Sequence, residues 1–190
     1  MIKPEQIGFS LIEVLIAVFV LALGVIGVAG MQLTAMRTSQ QSAFQTTAVE
    51  LAAEMADKMR TNDQQMKLPD EGNPFLNVDY QSQSGAPPSA HATCYGRGAN
   101  CSAQELAAFD IDEWEKRIKA SLPTSRAKIC RDGRPWDSDA KSLTWTCDSS
   151  SSSIVIKIGW QAKNPDGSFT AERGTSFPPI VALTVMPYTR

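Results

Sequence analysis

The feature that most constrains this chain is an apolar run near its N-terminus that begins beside an acid. From Val14 to Gly30 every side chain is apolar or absent, and Glu13 directly precedes the run. About 20 apolar residues in a helix span the hydrocarbon core of a membrane, so the segment 9–33 is long enough. A carboxylate at this position is expensive, and intramembrane carboxylates usually have a function. The run therefore predicts a membrane helix with a functional acid.

Two ordinary interpretations leave part of this pattern unexplained. A secretory signal peptide has an apolar region of about 7–15 residues behind a positive start. Here the run is longer, and the charge of Lys3 is offset by Glu5. A simple membrane anchor would tolerate Glu13 near a helix end but gives no reason for it.

The residues around the acid form a recognisable unit. Gly8, Phe9 and Glu13, within G-F-S-L-I-E before a long apolar run, resemble the prepilin signature of type IV pilins and the related pseudopilins. The resemblance implies that residues 1–8 are a leader, which a prepilin peptidase/methyltransferase removes after Gly8. It implies further that Phe9 becomes the N-methylated terminus and that Glu13 acts in filament assembly.

Cleavage before Phe9 would create a cationic amine, and this amine gives Glu13 a partner. The carboxylate four residues later lies on the same helical face. It could pair with its own terminus or with the Phe9 amine of a neighbouring subunit, and the spacing alone does not separate these possibilities. The resemblance favours the neighbouring subunit.

The helical pattern continues past the apolar run and becomes amphipathic. Apolar residues recur at spacings of three and four in the segment 34–62, at Phe44, Ala48, Leu51, Met55 and Met59. Such a stripe is typical of a helix packed on a core. We predict one helix from about Phe9 to Arg60, with its second half packed on a domain.

Residues 63–190 are predicted to form a globular α+β head with disulfides. The segment 63–101 has little periodicity and is interpreted as a long loop region. Capping-box patterns at Ser102/Glu105 and Asp110/Glu113 precede a helical stripe, which Pro123 ends. Strand patterns follow at 127–130, 143–147, 154–160 and 180–186, and a turn is predicted at 164–167. The fold class is α+β: a long N-terminal helix, a short extra helix and an antiparallel sheet of three to five strands.

All four cysteines belong to this head, at Cys94, Cys101, Cys130 and Cys147. Their spacing is not that of a zinc site, and a head outside the cytoplasm should oxidise. Three connectivities are possible. We predict 94–101 with 130–147, because each pair closes a short loop and the second brackets a predicted hairpin.

The C-terminal half extends the resemblance. The stretches KICRDGRPWD and IVIKIGWQAKNPDG, together with Cys147 and EMADKMRTN at 54–62, resemble the pilus modification proteins of the PilV type, a group of minor pilins. The resemblance implies an inner-membrane protein with a cytoplasmic leader and a periplasmic head, which later becomes part of the pilus. Its implied partners are other minor pilins and the major pilin, with which it primes filament assembly.

Three other functions remain as alternatives. A minor pseudopilin of a type II secretion system shares the signature and the fold plan. A membrane-anchored periplasmic binding protein or enzyme would leave Glu13 incidental. A DNA-uptake pilin would use the basic residues Arg126, Lys128, Arg131 and Arg134, although a solvated strand edge explains these residues better.

Catalytic and ligand-binding signals are weak in this sequence. His91 is the single histidine and lies in a Ser/Ala/Pro loop, and no motif surrounds a nucleophile. Asp132, Asp137 and Asp139 share a loop but match no calcium motif. The acids of residues 110–119 have i,i+4 basic partners (Asp112–Lys116, Glu113–Arg117 and Glu115–Lys119), as on a solvated helix face. We predict no enzyme, no cofactor, no metal site and no small-molecule substrate, and a net charge of -2 does not favour a nucleic-acid partner.

Overall fold

The computed structural model describes residues 8, 10–83, 93–149, 153–161 and 177–185. The chain divides into two compact units, Met1–Ala43 and Phe44–Arg190. Helix α1 spans Leu11–Thr61, close to the predicted helix. Phe9, His91 and the predicted turn at 164–167 lie outside the described residues.

In the first unit, the apolar run forms the N-terminal part of α1. Among the described residues this is the one helix long and apolar enough to cross a membrane, with a mean hydropathy of 2.9 over its most apolar window. No residue in that window is buried within the chain. The apolar side chains from Leu11 to Leu33 therefore do not pack into a hydrophobic core of this chain.

The second unit contains the remaining helices and strands. The helices are α2 (Asp63–Met66), 3₁₀ turns at Asp70–Gly72 and Pro74–Asn77, and α3 (Ala103–Ser121). The strands are β1 (Asp79–Gln81), β2 (Ser125–Arg131), β3 (Trp136–Asp137), β4 (Ser142–Leu143), β5 (Ile154–Trp160) and β6 (Val181–Val185). An antiparallel four-stranded sheet has the order β1-β2-β5-β6, and β3 pairs with β4 as a separate hairpin. The predicted α+β fold is confirmed.

The interpretation of 63–101 as a loop region was wrong over its first half, where α2, two 3₁₀ turns and β1 lie. Asn62, the residue before α2, fixes the start of this region by donating its side-chain amide to Ala103 O of α3 at 2.8 Å. The side chain of Asn73 accepts from Phe75 N at 3.0 Å, and Phe75 is fully buried. Short helical turns built on Asn and Pro leave no long periodicity for a pattern search to find.

Helix α3 begins at a single capping box. The Ser102 side chain accepts from Glu105 N at 3.3 Å, and Glu105 Oε2 accepts from Ser102 N at 2.8 Å. The second predicted box, at Asp110, was wrong because Asp110 lies inside the continuous helix. Its carboxylate instead accepts from Lys58 Nζ of α1 at 2.7 Å.

The core of the second unit lies between the helices and one face of the sheet. The predicted α1 stripe is buried from Ala48 to Met59, while Phe44 at its edge is half-buried. It shares the core with fully buried residues of α3 and the sheet: Trp114, Ile118, Ala127, Ile129, Ile156 and Ile158. Helical and strand periodicities thus converge on one apolar cluster.

On the other face of the sheet, residues 132–149, which we call the flap, cover β5. All seven residues of β5 are buried, so both of its faces are covered. The prediction that 143–147 continue as a strand was also wrong, since β4 ends at Leu143. Beyond it the chain crosses β5, and the Trp145 indole lies over Gly159.

Candidate functional site

The first candidate site is the start of α1, where the sequence predicted processing and assembly. Glu13 lies in the first helical turn, and its backbone N–H donates to Ser10 O at 3.0 Å. An acid in this position is favoured by the partial positive charge of the helix N-terminus. Gly8 and Glu13 are both exposed. Because Phe9 lies outside the described residues, the roles of Gly8, Phe9 and Glu13 stay predictions.

Behind Glu13 the helix presents apolar side chains on all sides. The consecutive residues 18–21 point around a full turn, and among them Val18, Phe19 and Leu21 are 60%, 62% and 67% exposed. A soluble protein rarely exposes so large a continuous apolar surface. Such a segment can be buried in lipid or against other helices, and there a carboxylate at its end would need a cationic partner.

The basic residues of β2 form the second candidate site, and they are neutralised by nearby acids. Arg126 donates from Nε and Nη2 to the two oxygens of Asp79, both at 3.1 Å, and Lys128 Nζ lies 3.3 Å from the same carboxylate. Arg131 Nε contacts both oxygens of Asp70, at 2.8 and 2.7 Å. These pairs leave little free positive charge for phosphate recognition.

The prediction of a solvated strand edge for these residues was wrong. Strand β2 is not an edge strand, because it lies between β1 and β5, and the side chains of Arg126, Lys128 and Arg131 are only partly exposed. The backbone N–H of the fourth residue, Arg134, donates to Asp132 Oδ1 at 2.9 Å inside the flap.

A buried ion pair that the sequence did not reveal lies beneath the flap. Lys157 is fully buried in the middle of β5, and its Nζ donates to Asp132 Oδ2 at 2.5 Å. The same ammonium donates to Thr144 O and Thr146 O, each at 2.7 Å. The one available signal was a lysine inside the apolar stretch IVIKIGW.

Both disulfides lie in the second unit. Cys94 is bonded to Cys101, and Cys130 of β2 is bonded to Cys147 of the flap. The first closes a short loop ahead of α3, where Tyr95 contacts Phe109 with ring centroids 5.7 Å apart. The second joins the flap to the sheet next to the Lys157–Asp132 pair.

The acids of α3 are only partly a solvated face. The Asp112–Lys116 pair is present at 2.8 Å, but Asp112 is 7% exposed, and one of its oxygens has no hydrogen-bond partner. The guanidinium of Arg117 does not contact the Glu113 carboxylate as predicted but pairs with Glu54 of α1. Burial, followed by the Asp112 charge, raises the pKa of Glu115 to about 7.

The acids of the flap are engaged in local bonds. Asp132 accepts from Lys157 and from the Arg134 N–H, while Asp137 Oδ1 accepts from the N–H groups of Asp139 and Ala140 at 2.8 and 3.0 Å. Within the described ranges, no group of three or more His, Cys, Asp or Glu side chains is placed to hold a metal ion. These carboxylates act as turn and ion-pair partners.

Comparison with known families matches two adjacent parts of the chain. Residues 4–29 match the prokaryotic N-terminal methylation motif, which covers the segment containing Gly8, Phe9 and Glu13. Residues 30–112 match the family described as type IV pilin Tt1218. Comparisons with curated proteins and with solved structures gave no match. Together the two matches cover residues 4–112, and these matches and the α+β fold agree in supporting a type IV pilin.

Proposed function

We propose that this pilin is a minor pilin of the PilV type that primes type IV pilus assembly together with other minor pilins. The observation that carries the proposal is the exposed apolar part of α1, which begins with an exposed acid in its first turn. This arrangement suits insertion among like helices rather than catalysis. The role is structural, since type IV pilins are filament proteins.

The chain would be processed and oriented as the methylation motif implies. The leader 1–8 would face the cytoplasm until the prepilin peptidase cuts after Gly8 and the Phe9 amine is methylated. Segment 9–33 would stay in the inner membrane, with 34–62 and the head 63–190 on the periplasmic side. The two disulfides suit an oxidising compartment.

Glu13 would then allow the subunit to enter the filament and would fix its position relative to a neighbouring subunit. Its carboxylate would meet the Phe9 amine of a neighbouring subunit between apolar helices, where water is scarce. Removing one partner of such a buried pair typically costs about 3–5 kcal/mol, because the other charge stays buried and unpaired. A subunit without this acid should reach the membrane but not the filament.

The N-terminal mass of the chain recovered from native membranes tests the processing step. We expect a chain that starts at Phe9 and carries one added methyl group. A chain that starts at Met1, or one cut near Gly30, would contradict processing as a pilin.

Replacement of the acid tests the assembly step. As the single copy in the cell, Glu13→Ala should be processed normally and fail to enter filaments. Glu50→Ala provides a matched control, because Glu50 is an exposed acid on the same helix. Normal piliation with Glu13→Ala would overturn the pairing.

A minor pseudopilin of a type II secretion system is the alternative within the same superfamily. The likeness of residues 128–137 and 154–167, with Cys147 between them, to PilV-type proteins favours the pilus. Cross-linking in intact cells followed by affinity purification separates the two: pilus subunits should co-purify, and recovery of secretion subunits instead would reassign the protein.

A further inference from the structure

The sheet has an unusual face beneath the flap. In the β2–β5 register, Cys130 lies opposite Val155, Lys128 opposite Lys157, and Arg126 opposite Gly159. Side chains at alternate positions of a strand share a face, so Cys130, Lys157 and Gly159 lie on the side away from the core. A disulfide, a charge and a bare backbone thus lie side by side under the same segment.

Each of these positions holds the flap in a different way. Cys130 binds it covalently through Cys147, and Lys157 binds the Asp132 carboxylate and the carbonyls of Thr144 and Thr146. Gly159 leaves room for the indole of Trp145, whose Nε1 donates to Phe177 O at 2.6 Å. The guanidinium of Arg126 lies 4.6 Å from the centre of the same indole.

Burial of the charged Lys157 side chain makes the closed flap less stable, so the flap needs other contacts with the sheet to stay closed. All three acceptors described for the ammonium belong to the flap itself. Closing the flap removes the ammonium and the Asp132 carboxylate from water, and the ion pair that forms offsets this cost only in part. Opening the flap returns both groups to water. Uncharged side chains in place of both Lys157 and Asp132 would remove this cost, and an apolar residue at position 157 would favour the closed state through burial.

We propose that the flap is a redox-conditional cover, which stays closed over Lys157 while Cys130–Cys147 is formed and opens when that disulfide is reduced. The two cysteines are 17 positions apart, so loss of the disulfide returns the conformational entropy of the closed loop to the open chain. The Lys157–Asp132 pair does not replace that constraint, because its charges are as well solvated when the flap is open.

The chemical step is thiol–disulfide exchange with an external dithiol. The dithiol gives two electrons and two protons to Cys130–Cys147, which become two thiols, while the dithiol becomes a disulfide. Closure runs in reverse, with a thiol–disulfide oxidant of the periplasmic type accepting the electrons. The cover would therefore be open before export and closed after it.

Hydrogen exchange of the full chain in detergent tests the proposal. A Cys94→Ser/Cys101→Ser background leaves the flap disulfide as the single target of dithiothreitol. Reduction should accelerate exchange of the flap amides, such as Thr144 N (bonded to Pro135 O) and Asp132 N (bonded to Ser153 O), roughly 100-fold. Amides between β2 and β5 should keep their protection.

A second variant isolates the role of the charge. In Asp132→Asn/Lys157→Met the reduced chain should keep its flap protection to within about tenfold of the oxidised chain, because neither side chain of the former pair carries a charge. Lys128→Met is the matched control, since Lys128 lies opposite Lys157 in the register but pairs with Asp79; it should respond like the wild type. Unchanged flap protection in the reduced wild type would overturn the proposal, even if Asp132→Asn/Lys157→Met does not fold. An equal loss in Asp132→Asn/Lys157→Met and the wild type would overturn the role of the charge.

Discussion

The indole Nε1 of Trp114 donates to the backbone carbonyl of Leu51 at 2.8 Å, which ties α3 to α1 inside the head. Trp114 is fully buried, so its N–H has no access to water. A buried indole usually finds such a partner, and its ring adds a large apolar contact. The amphipathic half of α1 is thus fixed to the head by a directional bond as well as by packing.

The Trp114 bond can be removed with little change of shape. Trp114→Phe should lower the free energy of unfolding by about 1 kcal/mol for the lost hydrogen bond, plus a term for the smaller ring. For a chain of this size each kcal/mol corresponds to a fall of about 2–4 °C in Tm. Thermal unfolding of the full chain in detergent, followed by circular dichroism, measures this. Trp136→Phe is the control, because Trp136 is 57% exposed. An equal loss in both variants would contradict the role of the bond.

The parts of the structure that follow periodicity could be predicted from the sequence. The stripe from Ala48 to Met59 has the helical spacing of three and four, and strand β5 alternates with a period of two. The capping box at Ser102 is a fixed spacing of three residues. These patterns depend on residues that are close together in the sequence, so they can be recognised from the sequence alone.

The flap could not be predicted in the same way. Lys157 is buried because Asp132, 25 positions away, and two backbone carbonyls surround its Nζ. Asp132 was considered only as one of three acids in a loop, and nothing local indicates that it pairs with a strand lysine. Contacts between a loop and the sheet that it crosses produce no periodic pattern in the sequence, so they cannot be recognised from it.

Gly159 should tolerate no larger side chain. A Cβ at this position would lie 2.9 Å from both Pro178 O and Trp145 Cζ2. Gly159→Ala must displace the flap or the segment that leads into β6, and overpacking of this kind costs about 1–3 kcal/mol. Thermal unfolding should show a lower Tm, together with a change in tryptophan fluorescence as Trp145 moves. Gly72→Ala is the control, because the nearest atom to its added Cβ is 3.9 Å away. Equal stability of Gly159→Ala and the wild type would contradict the close packing of Trp145 and Pro178 against Gly159.

Glu115 should make the stability of the head depend on pH. Its pKa is raised to about 7 by burial and by Asp112, so the folded chain holds this proton at pH values where the unfolded chain has lost it. Stability from this group is therefore complete below its ordinary pKa of about 4.3 and is lost as pH rises toward 7. The nearby Tyr80 has a raised pKa for related reasons, burial first and the Glu115 charge second.

Glu115→Gln should remove this pH dependence. The variant should match the wild type in Tm at pH 4 and exceed it at pH 8, with the difference developing between these values. Glu50→Gln on the exposed face of α1 is the control and should show no such trend. A constant difference across the whole range would mean that Glu115 titrates as it does in the unfolded chain.

Removal of Asp132 alone should lower the free energy of unfolding more than removal of both Asp132 and Lys157. Asp132→Ala leaves the Lys157 ammonium buried with two carbonyl acceptors and no counter-charge, and breaking a buried pair in this way typically costs about 3–5 kcal/mol. In Asp132→Ala/Lys157→Met no charge stays buried, so the double variant should recover most of that loss. The measurement is urea unfolding of the oxidised chain in detergent, with Asp139→Ala as the control for an exposed acid of the same loop. If the double variant is as unstable as Asp132→Ala alone, the loss comes from the turn that Asp132 makes with Arg134 N rather than from the unpaired charge.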